Sequence, residues 1–217
     1  MAHDQALIYP DRKAAGQELA TLLGDFAGRK DTIVLALPRG GVPVAAEVAR
    51  ALAAPLDVLI VRKLGMPWQP EFAAGAIAPG GVLVLNPAAR SGTDSLEALL
   101  EPVIASERRE LARREQVYRR GRPPLDLKER TTIIVDDGIA TGATMEAAAM
   151  AARAMGAKEV VVAVPVAPPD TVRRMGAHAD RVVCARQPAG FMAVGQFYLE
   201  FPQLSDAEVL DQLGANR

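Results

Sequence analysis

The segment with the most evident chemistry places two carboxylates between an apolar strand and a loop of small residues. Its sequence is IIVDDGIATGAT over residues 133–144, so the carboxylates are Asp136 and Asp137. An Ala-rich helix is predicted to follow the loop. Open α/β sheets bind ligands in the crevice at the carboxyl ends of their strands. The segment is therefore a candidate ligand site.

The loop after the carboxylates has the composition of a phosphate site. Small side chains let backbone N–H groups approach an anion, and a helix N-terminus adds unpaired N–H groups and the positive end of a dipole. Two hydroxyl side chains can add further donors. A phosphate is therefore expected on Ala140, Thr141, Gly142, Ala143 and Thr144.

The two carboxylates suggest that the ligand is more than a phosphate, which they would repel. Carboxylates accept hydrogen bonds from ribose hydroxyls and can hold Mg²⁺. A phosphate on the helix and hydroxyls on the carboxylates together describe a ribose 5-phosphate. The segment lacks the Gly-Lys-Ser/Thr ending of a P-loop and the spacing of GxGxxG. For Asp-Asp-Gly alone, a strand-ending turn before a capped helix is a simpler alternative.

Short apolar runs alternate with helical patterns on both sides of this segment. Continuous apolar runs of this length are typical of strands buried on both faces of a parallel sheet. The alternation predicts an α/β fold with a doubly wound, mainly parallel sheet flanked by helices. Strands are expected at residues 32–37, 56–61, 131–135, 159–164 and 181–185, and helices at 43–52, 143–155 and 169–175. An earlier helix is predicted to begin after the N-cap Asp11 and to end near Gly24.

A long helical pattern separates the two halves of the predicted sheet, over residues 95–120. Arg and Glu alternate at helical spacing within residues 107–115. Such a pattern is usually a solvated helix face with i,i+4 ion pairs. The alternative is a positive wall near an anionic ligand.

Composition limits the classes of function. The chain has 217 residues, a net charge of −1 and one cysteine, Cys184. Near-zero net charge gives no reason to expect nucleic acid as a partner. No basic and apolar leader opens the sequence, and its apolar runs are too short for a bilayer. We therefore expect one domain, no membrane association and a cytoplasmic location.

Residues 135–144 resemble the signature of the type I phosphoribosyltransferases that binds phosphoribosyl pyrophosphate (PRPP). The shared pattern is two acidic residues followed by a Thr-Gly-x-Thr phosphate loop. The resemblance implies that residues 140–144 bind the 5-phosphate. It also implies that Asp136 and Asp137 bind the ribose hydroxyls and Mg²⁺, the metal either directly or through water and PRPP, and act in catalysis.

Two further segments resemble the pyrophosphate-binding elements of the family. LPRGGVP, from residue 37, supplies Arg39 and Gly40, and VRKLG, from residue 61, supplies Arg62 and Lys63. Lys63 would also act in catalysis, by neutralising the leaving group. Arginine suits phosphate oxygens because its donors form a planar fork. The simpler alternatives are a turn for the first segment and exposed charges for the second.

The part of the site that binds the acceptor is expected to come from two less regular segments. A lid is predicted in residues 65–81, where Trp68 could stack on a base or pack ordinarily and Glu71 could orient substrate or bind a metal. The segment FMAVGQFYLEF resembles the family's C-terminal hood, in which Phe191 would stack on a base. Its register after Gly195 differs by one residue, so the pattern does not establish Glu200 as a functional acid.

Taken whole, the pattern resembles stand-alone bacterial phosphoribosyltransferases of unassigned acceptor. It implies one phosphoribosyltransferase domain over 1–217, with a sheet core at 32–185, a lid and helical insertion at 62–125 and a hood at 186–217. The implied activity is transfer of ribose 5-phosphate from PRPP to a nitrogen nucleophile such as a nucleobase, by a homodimer. A PRPP- or nucleotide-sensing regulator on the same fold is the alternative. A sugar-phosphate hydrolase would need a water-activating group that the motifs do not supply.

Overall fold

The computed structural model describes residues 8–66, 68–86, 89 and 96–215, with only the backbone described at 70–73 and 215. The helices in these ranges are α1 (Arg12–Thr21), α2 (Gly41–Leu52), α3 (Leu96–Tyr118), α4 (Ala143–Ala154), α5 (Pro169–Met175) and α6 (Asp206–Ala215). The strands are β1 (Thr32–Ala36), β2 (Leu56–Val58), β3 (Arg62–Met66), β4 (Gln69–Ala78), β5 (Val82–Leu85), β6 (Thr131–Val135), β7 (Glu159–Val166) and β8 (Arg181–Arg186).

A five-stranded sheet in the order β2-β1-β6-β7-β8 forms the centre of the fold. Every neighbouring pair in it is parallel. β6 lies in the middle, where Val135 is in register with Ala36 on one side and Ala163 on the other. The predicted mainly parallel α/β sheet is confirmed, and β6 delivers the acid pair to the centre of its carboxyl edge.

Both faces of this sheet are buried, as the continuous apolar runs predict. On one face Val34 and Ile133 pack with residues of α1 and α2, including Leu19 and Val48. On the other face lies a second core, formed by Leu35, Ile134 and Val162 with Met145, Ala148 and Ala149 of α4. Successive strand residues therefore point into different cores, which is why the middle of β1, β6 and β7 is apolar on both faces.

A second, antiparallel sheet in the order β3-β4-β5 adjoins α3 and α4. The sequence analysis assigned no strand to these residues. Their Pro and Gly content resembles that of a loop, and the register between β3 and β4 shifts near Gly65. Gly75 is required in β4, because a Cβ there would lie 2.5 Å from the carbonyl oxygen of Val84.

The long helix α3 matches its prediction and carries short-range ion pairs. Glu110 accepts hydrogen bonds at 2.8 Å from both Arg113 and Arg114. These pairs fit the interpretation of a solvated helix face. Of the helices in the described ranges, none combines the length and apolar character needed to cross a bilayer.

The C-terminal segment folds back along the N-terminus. The backbone N–H of Tyr9 donates to Phe197, and the N–H groups of Leu199 and Glu200 donate to Tyr9 and Pro10. α6 then packs against α2 and α3. The sequence analysis did not predict α6. Residues 9–10 and 197–200 thus meet beside the carboxyl edge of the central sheet.

Substituting Ile134 by Ala should destabilise the protein by about 2–5 kcal/mol, because the side chain is fully buried between β6 and α4. Leu210→Ala is the matched control, since Leu210 is 43% exposed on α6, and a change within about 0.5 kcal/mol is expected. Urea unfolding measures both free energies. Equal losses in the two variants would contradict the assigned core.

Candidate functional site

The acid pair lies where the loops after two neighbouring strands meet. Asp136 and Asp137 follow β6, and the loop of residues 37–40 follows β1. A Cβ on Gly40 would lie 2.2 Å from the Asp137 Oδ2, and one on Gly41 would lie 2.6 Å from the Val135 carbonyl oxygen. Only glycine permits this approach, so the two loops that the sequence analysis singled out are brought together.

Arg12 supplies the positive charge beside the acid pair. Its Nε donates to the Oδ2 of Asp137 at 2.9 Å, and both side chains are nearly buried. Burial raises the pKa of Asp137, and Arg12 opposes that rise. Burial, followed by the charge of Asp137, raises the pKa of Asp136 well above its usual value. The single positive charge of Arg12 therefore balances the negative charge of the two carboxylates only in part. A second cation would stabilise their charged forms.

Tyr198 fixes the backbone of the pair. Its hydroxyl donates to the carbonyl of Asp137 at 2.5 Å, and burial raises the pKa of this phenol. The N–H of Asp137 donates to the Oδ1 of Asp136 at 2.9 Å. The sequence analysis missed Arg12 and Tyr198 as site residues. The available signal for Arg12 was a cation in the first turn of a helix, where the dipole disfavours it.

Side chains of α5 donate hydrogen bonds to carbonyl groups of the loop at residues 138–142. Thr171 Oγ1 donates to the carbonyl of Ala140 at 2.8 Å, and Arg174 Nη2 donates to that of Thr141 at 3.0 Å. Gly142 adopts a φ of 85° directly before α4, a conformation that favours glycine. α5 thus anchors the carbonyl groups of this loop.

The backbone N–H of Ile139 donates to the carbonyl of Val166, whereas the N–H groups that follow it have no acceptor among the described residues. Within the described ranges, no hydrogen bond is found from the backbone N–H of any residue from 140 to 144. The side chains of Thr141 and Thr144 are exposed. Unpaired N–H groups at a helix N-terminus form an anion site. The loop can therefore bind a phosphate on the side away from α5.

The predicted pyrophosphate residues have different partners. Gly40 lies against Asp137, whereas the Nη1 of Arg39 donates to the carbonyl of Leu204 at 2.7 Å. The peptide bond before Arg39 is cis. On β3, Arg62 forms an ion pair with Glu107 of α3. Lys63 is half-buried and in register with Ala76 of β4.

The C-terminal hood packs against the start of the loop that follows β6. A Cβ on Gly138 would lie 2.7 Å from Val194 Cγ1. Phe191 is partly buried, with its ring centroid 5.0 Å from that of Phe197. Trp68 is 66% exposed, so a purely internal packing role does not apply to it. The side chain of Glu71 lies outside the described residues.

The donor set at the acid pair fits Mg²⁺. In the described part of the chain no group of three or more His, Cys, Asp or Glu side chains could hold a metal alone. Two adjacent carboxylates that lack a full countercharge suit an ion that keeps several waters and shares substrate phosphates. Asp136 and Asp137 would hold it, directly or through water.

Comparison with known proteins identifies the family. The model of the phosphoribosyl transferase domain matches residues 8–200, which include the acid pair, both glycine-bearing loops and the first part of the hood. The chain belongs to the phosphoribosyl transferase family. The resemblance drawn from residues 135–144 is thereby confirmed.

Relatives from two species are similar over most of the chain. Proteins from two strains of Mycobacterium tuberculosis, assigned by name to the phosphoribosyl transferases, are 53% identical over 203 residues, or 94% of this chain. The chain spans 46% of the length of these curated relatives. The crystal structure of TT1426 from Thermus thermophilus is 46% identical, with a TM-score of 0.89 over 96% of this chain and 99% of that one.

Gly40→Ala should destabilise the protein by about 1–3 kcal/mol, because the added methyl overlaps the Asp137 carboxylate and forces the two loops apart. Gly24→Ala is the matched control, since a Cβ there meets no atom within 4 Å. Chemical denaturation compares the two variants. Wild-type stability in Gly40→Ala would show that the loops do not pack as described.

Proposed function

We propose that this phosphoribosyltransferase uses PRPP and Mg²⁺ to transfer ribose 5-phosphate to a nitrogen nucleophile, with release of pyrophosphate. The strongest support is that residues 136–144 place two kinds of binding group, carboxylates and backbone N–H donors, in direct succession. Two largely buried carboxylates, which can accept from hydroxyls, lead directly into backbone N–H groups without partners among the described residues. A ribose 5-phosphate presents the complementary groups in the same order.

The proposed reaction places opposite charges at the two ends of a breaking bond. As the bond between C1 of the ribose and the pyrophosphate oxygen breaks, positive charge develops on the ring and negative charge on the leaving group. Asp136 and Asp137 would hold the ring hydroxyls and favour its cationic character. The proposed pyrophosphate partners are Arg39, Gly40, Arg62 and Lys63, with Lys63 neutralising the departing charge.

Two of these basic residues have partners within the protein. Arg39 donates to Leu204, and Arg62 pairs with Glu107. Both side chains are on the surface or partly exposed, where ion pairs are worth little, so a diphosphate can compete for them. Bound Mg²⁺ would supply charge neutralisation of the diphosphate.

The acceptor is proposed to be a nucleobase that stacks on Phe191. The ring is partly exposed, and it packs with Val194 against the buried cluster that contains Phe197. A partly exposed aromatic ring suits stacking with a flat heterocycle. Residues 1–217 are proposed to work as one phosphoribosyltransferase domain within a homodimer, with the lid and insertion at 62–125.

The direct assay is release of pyrophosphate from PRPP and Mg²⁺ in the presence of individual nucleobases. Release that depends on one base, together with formation of the matching nucleoside 5′-monophosphate, is expected. PRPP binding without release for any base or amine would instead favour a PRPP-sensing role. Failure to bind PRPP at all would contradict the proposed function.

Asp137→Asn should weaken PRPP binding in the presence of Mg²⁺ by about tenfold or more, because hydrogen bonds to a charged group contribute about 1.5–3 kcal/mol. The variant keeps the shape of the side chain and removes its negative charge. Asp211→Asn, an exposed change on α6, is the control and should bind as the wild type does. Isothermal titration calorimetry gives both affinities. Unchanged affinity in Asp137→Asn would remove this carboxylate from the site.

A further inference from the structure

Arg12 joins the acid pair to the C-terminal hood. Its Nε donates to the Oδ2 of Asp137 at 2.9 Å, and its Nη1 donates to the carbonyl of Pro202 at 2.9 Å. The guanidinium carbon lies 3.8 Å from the centroid of the Phe201 ring. The nearly buried Arg12 side chain thus contacts three groups. It reaches two of them through separate N–H donors and the third through the face of its guanidinium.

Local helix energetics do not explain an arginine at this position. Arg12 is the first residue of α1, and Asp11 already caps the helix by accepting from the N–H of Ala14. A cation in the first turn opposes the helix dipole, and a buried guanidinium is costly unless it is paired. The contacts of Arg12 with Asp137 and with the hood are therefore the interactions that stabilise an arginine at this position.

The contact with Arg12 sets which carboxylate oxygen of Asp137 can meet a ligand. Arg12 binds Oδ2, and Gly40 packs against the same oxygen. Oδ1 accepts no hydrogen bond from the described residues, so it is the oxygen with capacity for an incoming hydroxyl. Tyr198 holds the backbone carbonyl of the same residue, so the main chain from which the carboxylate projects is fixed as well.

The hood is fixed by the same group of side chains. The Phe201 ring, which Arg12 covers, stacks on Tyr198 with centroids 5.0 Å apart and an interplanar angle of 27°. Tyr198 in turn donates to Asp137. A closed circuit of contacts therefore runs from the carboxylate through Arg12, Phe201 and Tyr198 back to the backbone of the carboxylate.

We propose that Arg12 is a positioning residue for phosphoribosyl transfer. It orients the Asp137 carboxylate towards the ribose hydroxyls and fixes the distance between that carboxylate and the hood. This inference rests on the proposed function, because it concerns the same PRPP site. The guanidinium of Arg12 is engaged by Asp137, Pro202 and Phe201, so its effect on substrate passes through Asp137.

A merely structural role would make Arg12 a clamp between the two ends of the chain. Arg186 provides a matched control for that role. Its guanidinium lies 3.7 Å from the Tyr9 ring centroid and pairs with Glu18, and its side chain is only 18% exposed. The contacts are of the same kind, in the same region, and none of them involves Asp136 or Asp137.

The test is calorimetric titration of PRPP with Mg²⁺ into the wild type, Arg12→Met, Arg12→Lys and Arg186→Met, below their unfolding temperatures. Arg12→Met should lose about tenfold or more in PRPP affinity, because it leaves Asp137 without its partner. Arg12→Lys should recover part of the loss by restoring the charge. Arg186→Met should lose thermal stability but bind PRPP as the wild type does.

Two results would overturn the proposal. One is wild-type PRPP affinity in Arg12→Met, and the other is an equal loss of affinity in Arg12→Met and Arg186→Met. If Arg12→Met does not fold, Arg12→Lys decides, because lysine cannot donate to Asp137 and Pro202 through a planar fork; wild-type affinity in it would refute the positioning role. A wild-type protein that does not bind PRPP would instead refute the proposed function itself.

Discussion

The structure depends on burying two adjacent carboxyl groups at the end of its central strand. Burial raises the pKa of both Asp136 and Asp137, and a single guanidinium, from Arg12, acts against that shift. The surrounding elements follow from this constraint. The β1 loop contributes glycine so that it can lie against Asp137, and the hood contributes the phenol of Tyr198 to the backbone of the pair.

The central sheet and the phosphate loop could be predicted because their signals are local. Each parallel strand is a short, continuous apolar run, and the sequence from Asp136 to Thr144 carries its chemistry in consecutive residues. Predicted and observed strands differ by a few residues at their ends, as at β2, which stops at Val58 instead of residue 61. The order of the strands around β6 agrees with the predicted doubly wound topology.

The remaining features depend on contacts between distant parts of the chain. Arg12 and Asp137 are separated by 125 positions, and no local pattern marks them as partners. The β3-β4-β5 sheet escaped prediction because Gly and Pro obscure its alternation, and its strands are defined by packing on α3 and α4. The hydrogen bond from Arg39 to the carbonyl of Leu204 spans 165 positions and has no local signal either.

The central claim is that residues 136–144 form one cradle for ribose and its 5-phosphate, and a crystal structure with PRPP and Mg²⁺ tests it most directly. The 5-phosphate is predicted to accept hydrogen bonds from the backbone N–H groups of residues 140–144. The ribose hydroxyls are predicted to donate to Asp136 and to the Oδ1 of Asp137. A phosphate bound elsewhere, with these N–H groups facing only water, would contradict it.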